Sequence, residues 1–274
     1  MQCFTFTPDH ASGCTVTAWL QQGMLSESNP DKTFPAVFIC PGGGYEMVSE
    51  REAEPVAKEY FAAGYHTFIL QYSVKEQAQD FRPLCQAAAA LAHIRRHAAE
   101  WKLQADHIAV CGFSAGGHLA ASLGTLYDDE KFLQVYRENV TPDTTALRPD
   151  AMILIYPVIT ADEFAHTGSI EHVSGAAAGT PAYTYFGLDR HVDALTPPAY
   201  LYHTAEDDCV PVENSLRFAA ALSGAKVPFE LHVLPKGGHG MSVCTDEVGS
   251  PDDYNARWVS WSIIWLNRIF DFHK

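Results

Sequence analysis

The pentapeptide GFSAG at residues 112–116 is the sequence feature that most restricts the fold of this chain. It follows a short apolar run at 107–111, which predicts a buried strand, and it leads into residues 115–126, which predict a helix. A serine between two glycines at a strand-to-helix turn is typical of a tight turn that exposes the hydroxyl at a helix N-terminus, where negative charge is favoured. The alternative is a glycine-rich turn with an incidental serine, and the flanking strand and helix make that interpretation the weaker one.

Strands alternate with helices along the chain, and this order predicts a mostly parallel central sheet with helices on both faces. Apolar and β-branched runs predict strands at residues 15–20, 36–40, 66–72, 107–111, 151–156, 199–203 and 229–234. Helical spacing predicts helices at residues 52–63, 81–101, 115–126, 212–222 and 255–270. Residues 127–149 are polar and predict a loop, whereas residues 159–198 predict a cap near the carboxyl ends of the strands. We therefore expect one α/β domain over residues 1–274, with a small cap insertion around 159–198.

The charge balance narrows the range of partners. The chain has 33 acidic and 18 Lys or Arg residues, a formal net charge of −15, so we expect no nucleic acid and no anionic membrane surface as a partner. No apolar run reaches the roughly 18 residues that span a bilayer, and residues 1–9 lack the features of a signal peptide. The 7 cysteines contain no CxxC pair, which predicts neither a disulfide framework nor a metal site and favours the cytoplasm. The sequence leaves open whether the chain forms a homo-oligomer.

The serine of the pentapeptide, Ser114, needs a base because a serine hydroxyl alone is a weak nucleophile. His239 stands between glycines after the strand at 229–234, in a loop that can reach across the top of the sheet. His118 lies one helical turn after Ser114, and we expect it to pack beneath the turn in a structural role. A carboxylate that orients the imidazole should follow a later strand. Three adjacent acids follow the strand at 199–203, and composition does not choose among them: Glu206, Asp207 and Asp208.

A second glycine-rich loop follows the strand at 36–40, and it offers backbone N–H groups that could stabilise an oxyanion. We expect donors from Gly43 and Gly44, together with Ala115 directly after the serine. Glycines allow backbone amides to approach such an oxygen without a Cβ in the way. A phosphate-binding loop is the competing interpretation, but the sequence matches neither GxGxxG nor a loop followed by GK[ST].

With these residues considered together, the chain resembles the α/β-hydrolase superfamily, and most of all its small bacterial acetyl esterase or acetyl xylan esterase branch. The similar motifs are PGGGY at 41–45 with SERE at 49–52, GFSAGGHLA at 112–120, YPVI at 156–159, TPP at 196–198 and GGHG at 237–240. The family pattern Asp-x-x-Val-Pro matches residues 207–211, which implies Asp207 as the catalytic acid and leaves Asp208 as the second choice. The chain departs from many relatives by placing Pro41, rather than histidine, before the three glycines.

The resemblance implies a serine carboxylesterase that hydrolyses short-chain, acetyl esters and needs neither a metal nor an organic cofactor. We expect a small-molecule ester as substrate, an acetylated sugar or xylo-oligosaccharide in particular. Four aromatic residues are candidates for stacking on a sugar, although each could equally belong to the core: Tyr45, Tyr183, Tyr185 and Phe186. A formamidase or other amidase would use the same three residues. A prolyl-oligopeptidase-type peptidase would need a gating domain that this length does not provide, and a non-catalytic binding protein would not need all three residues.

Overall fold

The computed structural model describes residues 1–8, 13–22 and 32–273; the domain predicted over 1–274 includes a few residues outside these ranges. In the described part, one sheet contains β1 (Gln2–Phe6), β2 (Thr15–Leu20), β3 (Phe34–Cys40), β4 (His66–Gln71), β5 (Leu103–Phe113), β6 (Ala151–Ile155), β7 (Ala199–Thr204) and β8 (Phe229–Leu234). The strands lie in the order β1-β2-β4-β3-β5-β6-β7-β8. Strands β3 to β8 pair in parallel, and β1 and β2 add antiparallel pairs at one edge. The predicted mostly parallel sheet is therefore confirmed.

Helices cover both faces of this sheet. They are α1 (Glu54–Ala62), α2 (Arg82–Arg96), α3 (Ala98–Trp101), α4 (Ser114–Thr125), α5 (Glu130–Asn139), α6 (Thr167–Ser174), α7 (Pro181–Thr184), α8 (Glu213–Gly224) and α9 (Arg257–Ile269). Successive strand residues point to opposite faces, so Phe38 of β3 packs in the core that contains α2 and α4. Its neighbour Val37 packs in the second core, which contains α1 and α9. Burial on both faces explains why the central strands read as continuous apolar runs.

Three local predictions are wrong. Residues 127–149 are not all loop, because α5 forms there: Asp129 caps the helix by accepting from two backbone N–H groups, and Phe132 and Tyr136 bury one face. The single helix predicted over 81–101 breaks at His97, which separates α2 from α3. The sequence analysis also assigned no strand to the first residues, where β1 pairs with β2.

The segment at 159–198 contains the short helices α6 and α7 and a 3₁₀ helix at Leu188–Arg190. Its buried side chains, Ile170 and Val173 among them, share the core that contains α2 and α4. The segment is therefore packed firmly onto the domain. The seven cysteines are free thiols. Within the described ranges, no helix combines the length and apolar character that crossing a bilayer requires.

Candidate active site

The serine turn joins β5 to α4, and Ser114 adopts a left-handed backbone conformation with a φ of 52°. A non-glycine residue in this region is strained, and such strain is common at functional turns. The turn also packs backbone against backbone, because a Cβ on Gly116 would lie 2.1 Å from the carbonyl oxygen of Cys40 at the end of β3. Only glycine fits at that position. The side chain of Ser114 is thereby held at the carboxyl ends of β3 and β5.

A continuous chain of hydrogen bonds links the three residues that the sequence analysis singled out. The Ser114 hydroxyl lies 2.8 Å from Nε2 of His239, and Nδ1 of the same ring lies 2.6 Å from Oδ2 of Asp207. His239 comes from the loop after β8 and Asp207 from the loop after β7. Because neighbouring parallel strands end at the same edge, the topology brings these loops together. The structure thus places Asp207 against the imidazole, whereas Asp208 is exposed.

The surroundings of Asp207 stabilise its ionised form. Oδ1 accepts hydrogen bonds from the backbone N–H groups of Cys209 and Val210, and the buried His203 ring lies 3.4 Å from Oδ2. Burial raises the pKa of the Asp207 carboxyl, but contacts with His203 and His239 and the Val210 N–H outweigh burial and hold the pKa well below its ordinary value. A carboxylate kept negative beside Nδ1 favours the His239 tautomer whose Nε2 faces the serine.

The loop at residues 41–45, called the glycine loop below, lies directly against the serine. A Cβ on Gly42 would be 3.0 Å from the Ser114 Cβ. Among the described residues, no acceptor is within hydrogen-bond distance of the Gly43 and Gly44 N–H groups. The Ala115 N–H lies in the first turn of α4, where helices leave such donors without an intrahelical partner. The glycine loop thus borders Ser114, and the roles of Gly43, Gly44 and Ala115 as oxyanion donors remain a prediction.

Glu52 is a buried carboxylate beside this site that the sequence analysis did not single out. One oxygen accepts from the N–H of Gly42 at 2.8 Å, and the other accepts from the Tyr156 hydroxyl at 2.8 Å. The same hydroxyl accepts from the Ser242 N–H at 2.9 Å, three residues after His239. Burial raises the pKa of Glu52, while its hydrogen bonds lower it in part. Glu52 therefore ties the glycine loop to the loop that carries the imidazole.

Several known proteins are similar to this chain in sequence and fold. A family model described as BD-FAE matches residues 24–222. The chain belongs to the BD-FAE family. It is 36% identical over 222 residues to endo-1,4-beta-xylanase B of Butyrivibrio fibrisolvens, a match covering 80% of this chain and 34% of the xylanase. It is 27% identical over 216 residues to the acetylxylan esterase of Xylanibacter ruminicola, covering 77% and 42%. The chain thus spans less than half the length of these curated relatives.

Solved structures resemble this BD-FAE family member over nearly its whole length. The acetyl ester-xyloside bifunctional hydrolase of Caldicellulosiruptor lactoaceticus superposes with a TM-score of 0.80 at 32% identity, and the match covers 95% of this chain and 89% of that one. The predicted α/β-hydrolase fold and the resemblance to acetyl xylan esterases are confirmed.

In this BD-FAE family member, Tyr45 is a core residue and not a sugar-stacking residue. Its side chain is fully buried, so it offers no surface for stacking on a substrate. Its hydroxyl donates to Nδ1 of His118 at 2.9 Å, and Nε2 of that ring donates to the Phe186 carbonyl at 3.0 Å. Burial lowers the pKa of His118 to about 4, so the ring is neutral. Tyr45 and His118 therefore fasten the glycine loop to α4 and to the 159–198 segment, in keeping with the structural role expected for His118.

The other three aromatic candidates lie in the 159–198 segment, and two of them contact residues outside it. Tyr183 and Phe186 are buried, and the Tyr185 hydroxyl donates to Asp129 at the start of α5. Phe186 also packs on the ring of Phe81, with centroids 5.4 Å apart. Burial of Tyr183 and Phe186 favours the core alternative for these two rings over stacking on a sugar, whereas Tyr185 is half-buried and its role in binding stays a prediction.

Proposed function

We propose that this chain is a serine carboxylesterase that hydrolyses short-chain esters, acetyl esters above all. The observation that carries the proposal is the uninterrupted hydrogen-bond chain Ser114–His239–Asp207 beside a glycine loop with free backbone donors. Activation of a serine requires a base in contact and a third group that orients the base, and these three residues meet both requirements. The names of relatives with this fold, acetylxylan esterase among them, support the same chemistry.

In the proposed mechanism, the Ser114 oxygen attacks the ester carbonyl carbon while Nε2 of His239 takes the hydroxyl proton. The carbonyl electron pair moves onto oxygen, and the N–H groups of Gly43, Gly44 and Ala115 donate hydrogen bonds to it. The carbon–oxygen bond to the alcohol then breaks, and His239 returns the proton to that alcohol. Water then attacks the acyl carbon while Nε2 of His239 takes its proton, the bond to the Ser114 oxygen breaks as the acid is released, and His239 returns the proton to Ser114.

The proposed substrates are acetylated sugars or xylo-oligosaccharides. Two relatives support this choice, because one is named an acetylxylan esterase and another an acetyl ester-xyloside bifunctional hydrolase. Two aromatic residues of the 159–198 segment, Tyr183 and Phe186, are buried and give this choice no support.

The test is acetate release by the wild type and by Ser114→Ala. Each is given 4-nitrophenyl acetate, butyrate and octanoate, and acetylated xylo-oligosaccharides. We expect the wild type to cleave the acetyl substrates, with rates that fall as the acyl chain lengthens, and Ser114→Ala to lose activity by a factor of at least about 10³. Equal rates for the variant and the wild type would overturn the mechanism, while turnover of 4-nitrophenyl acetate alone would overturn the sugar assignment.

A further inference from the structure

Two histidines of the 159–198 segment flank Gly44 of the glycine loop. The ring of His172 donates from Nδ1 to the Gly44 carbonyl at 3.1 Å. The ring of His166 also lies close to Gly44. A Cβ placed on Gly44 would be 3.9 Å from Cε1 of His166. His166 is also within the electric field of the candidate catalytic residues: burial lowers its pKa, His239 lowers it further, and Asp207 opposes both. A half-buried imidazole outside the Ser114–His239–Asp207 chain therefore borders the site.

The hydrogen bonds of His166 fix which ring nitrogen carries the proton. Nδ1 caps helix α6 by accepting from the Ser169 N–H at 3.3 Å, and it lies 2.8 Å from the Ser169 hydroxyl. The Ser169 N–H, which also donates to the His166 carbonyl at 3.1 Å, can only donate, so we assign Nδ1 as its acceptor and place the proton of the neutral ring on Nε2. Protonation of Nδ1 would remove the side-chain part of this cap, and the lowered pKa of His166 favours the neutral ring.

The remaining donor of this ring has no protein partner. Among the described residues, His166 makes hydrogen bonds through Nδ1, and none is formed by Nε2. The residue is half-buried, and Nε2 is not among the fully buried polar atoms without a partner, so this N–H keeps some exposure. The result is an uncharged donor, fixed in direction by its own helix cap, at the border of the glycine loop.

We propose that His166 Nε2–H binds an oxygen of the alcohol portion of the substrate, a sugar hydroxyl or ring oxygen next to the ester that is cleaved. This inference rests on the proposed function. The acyl oxygen already has three backbone donors in Gly43, Gly44 and Ala115, so a further donor is not needed there. Sugars, in contrast, present many oxygen acceptors, and binding sites select them with a few directional polar groups. His166 is thus assigned as a specificity-determining residue for polyhydroxylated alcohols.

The test is His166→Asn, which removes the donor and keeps the helix cap. Asparagine is among the best capping residues, and its Oδ1 can replace Nδ1 in accepting from Ser169. We expect the KM for acetylated xylo-oligosaccharides to rise about tenfold, the effect of one lost hydrogen bond. The kcat and KM for 4-nitrophenyl acetate, whose alcohol has no hydroxyl in the sugar positions, should stay within about twofold. His166→Ser, a second capping variant, should behave in the same way.

His191→Asn is the matched control. His191 belongs to the same 159–198 segment, and its Nε2 donates to the backbone carbonyl of Tyr185 at 2.7 Å rather than standing free. We expect this variant to change neither substrate's KM. An unchanged KM for the sugar ester in His166→Asn would overturn the proposal. An equal loss of kcat on both substrates would also overturn it, because His166 would then act on the acyl oxygen or on the glycine loop. Failure of the proposed function itself is distinguishable, since the wild type would then not hydrolyse 4-nitrophenyl acetate.

Discussion

At the scale of single residues, two adjacent acids, Asp207 and Asp208, are candidates for the carboxylate that orients His239. Asp207 is buried and contacts the His239 ring, whereas Asp208 is exposed. We expect Asp207→Asn to lower kcat on 4-nitrophenyl acetate by about 10³–10⁴-fold, because an amide can hold the imidazole in the wrong tautomer. Asp208→Asn is the matched control and should stay within about twofold of the wild type. The reverse ranking in a steady-state assay would assign the role to Asp208.

The ionisation of Asp207 also predicts how stability depends on pH. Its pKa is held below the ordinary value in the folded state, so its stabilising effect is fully present above the unfolded pKa of about 4 and is lost as pH falls through the folded value. We expect urea unfolding at pH 7 to show Asp207→Asn less stable than the wild type by about 2–4 kcal/mol. The difference should shrink steadily below about pH 4. A difference that is independent of pH would show that the carboxylate charge does not stabilise the fold.

Some residues of the candidate site could be predicted from local sequence motifs, and others could not. Ser114 and His239 stand in glycine-rich motifs next to strands, so local patterns point to them. Glu52 falls in the SERE motif and His166 in no motif, and the role of each depends on a contact between segments far apart in sequence. The partner of Glu52, Tyr156, is 104 positions away, and His166 gains its place only when its segment packs on Gly44.

At the scale of secondary-structure elements, Glu52 connects the glycine loop with the loop after β8. Both of its oxygens accept hydrogen bonds, so Glu52→Gln must place an amide NH₂ against the Gly42 N–H or the Tyr156 hydroxyl. We expect kcat to fall about tenfold on every ester and the free energy of unfolding to fall by about 1–3 kcal/mol. Glu50→Gln, in the same 3₁₀ helix but exposed, should change neither quantity. An unchanged kcat in Glu52→Gln would mean that the glycine loop is positioned without this network.

Helices and strands could be predicted from the sequence where a single pattern, such as a continuous apolar run, was clear. The central strands are buried on both faces, so their apolar runs stand out in the sequence. Helix α5 was missed although Asp129 is a good cap and Phe132 and Tyr136 are spaced by one turn, because most of its other residues are polar. The break at His97 could not be read from an alanine-rich stretch with uniform helical propensity. Such breaks are set by packing between elements, which overrides local preference.

At the scale of the whole molecule, the two faces of the sheet are not equivalent. The face with α2 and α4 also holds the 159–198 segment, whereas the face with α1 and α9 supports the candidate site from below. Trp258 of α9 is central to that second face. It is fully buried, its edge packs on the Phe113 ring beside Ser114, and its indole N–H donates to the Ser242 carbonyl at 2.8 Å. A single side chain thus joins the last helix to the serine turn and to the His239 loop.

Trp258→Phe should therefore reduce both stability and activity. The substitution leaves a cavity and removes the indole donor from the Ser242 carbonyl, which keeps only the weak Cys244 thiol donor, and together these changes cost about 2–4 kcal/mol of unfolding free energy. We expect kcat to fall several-fold as well, because the serine turn and the His239 loop lose a shared support. Trp261→Phe, a half-buried residue of the same helix that stacks on His232, should cost under about 1 kcal/mol and leave kcat unchanged. Urea unfolding and 4-nitrophenyl acetate hydrolysis measure both quantities on the same samples. If the two variants lose stability equally and neither loses kcat, α9 supports the fold but does not position the site.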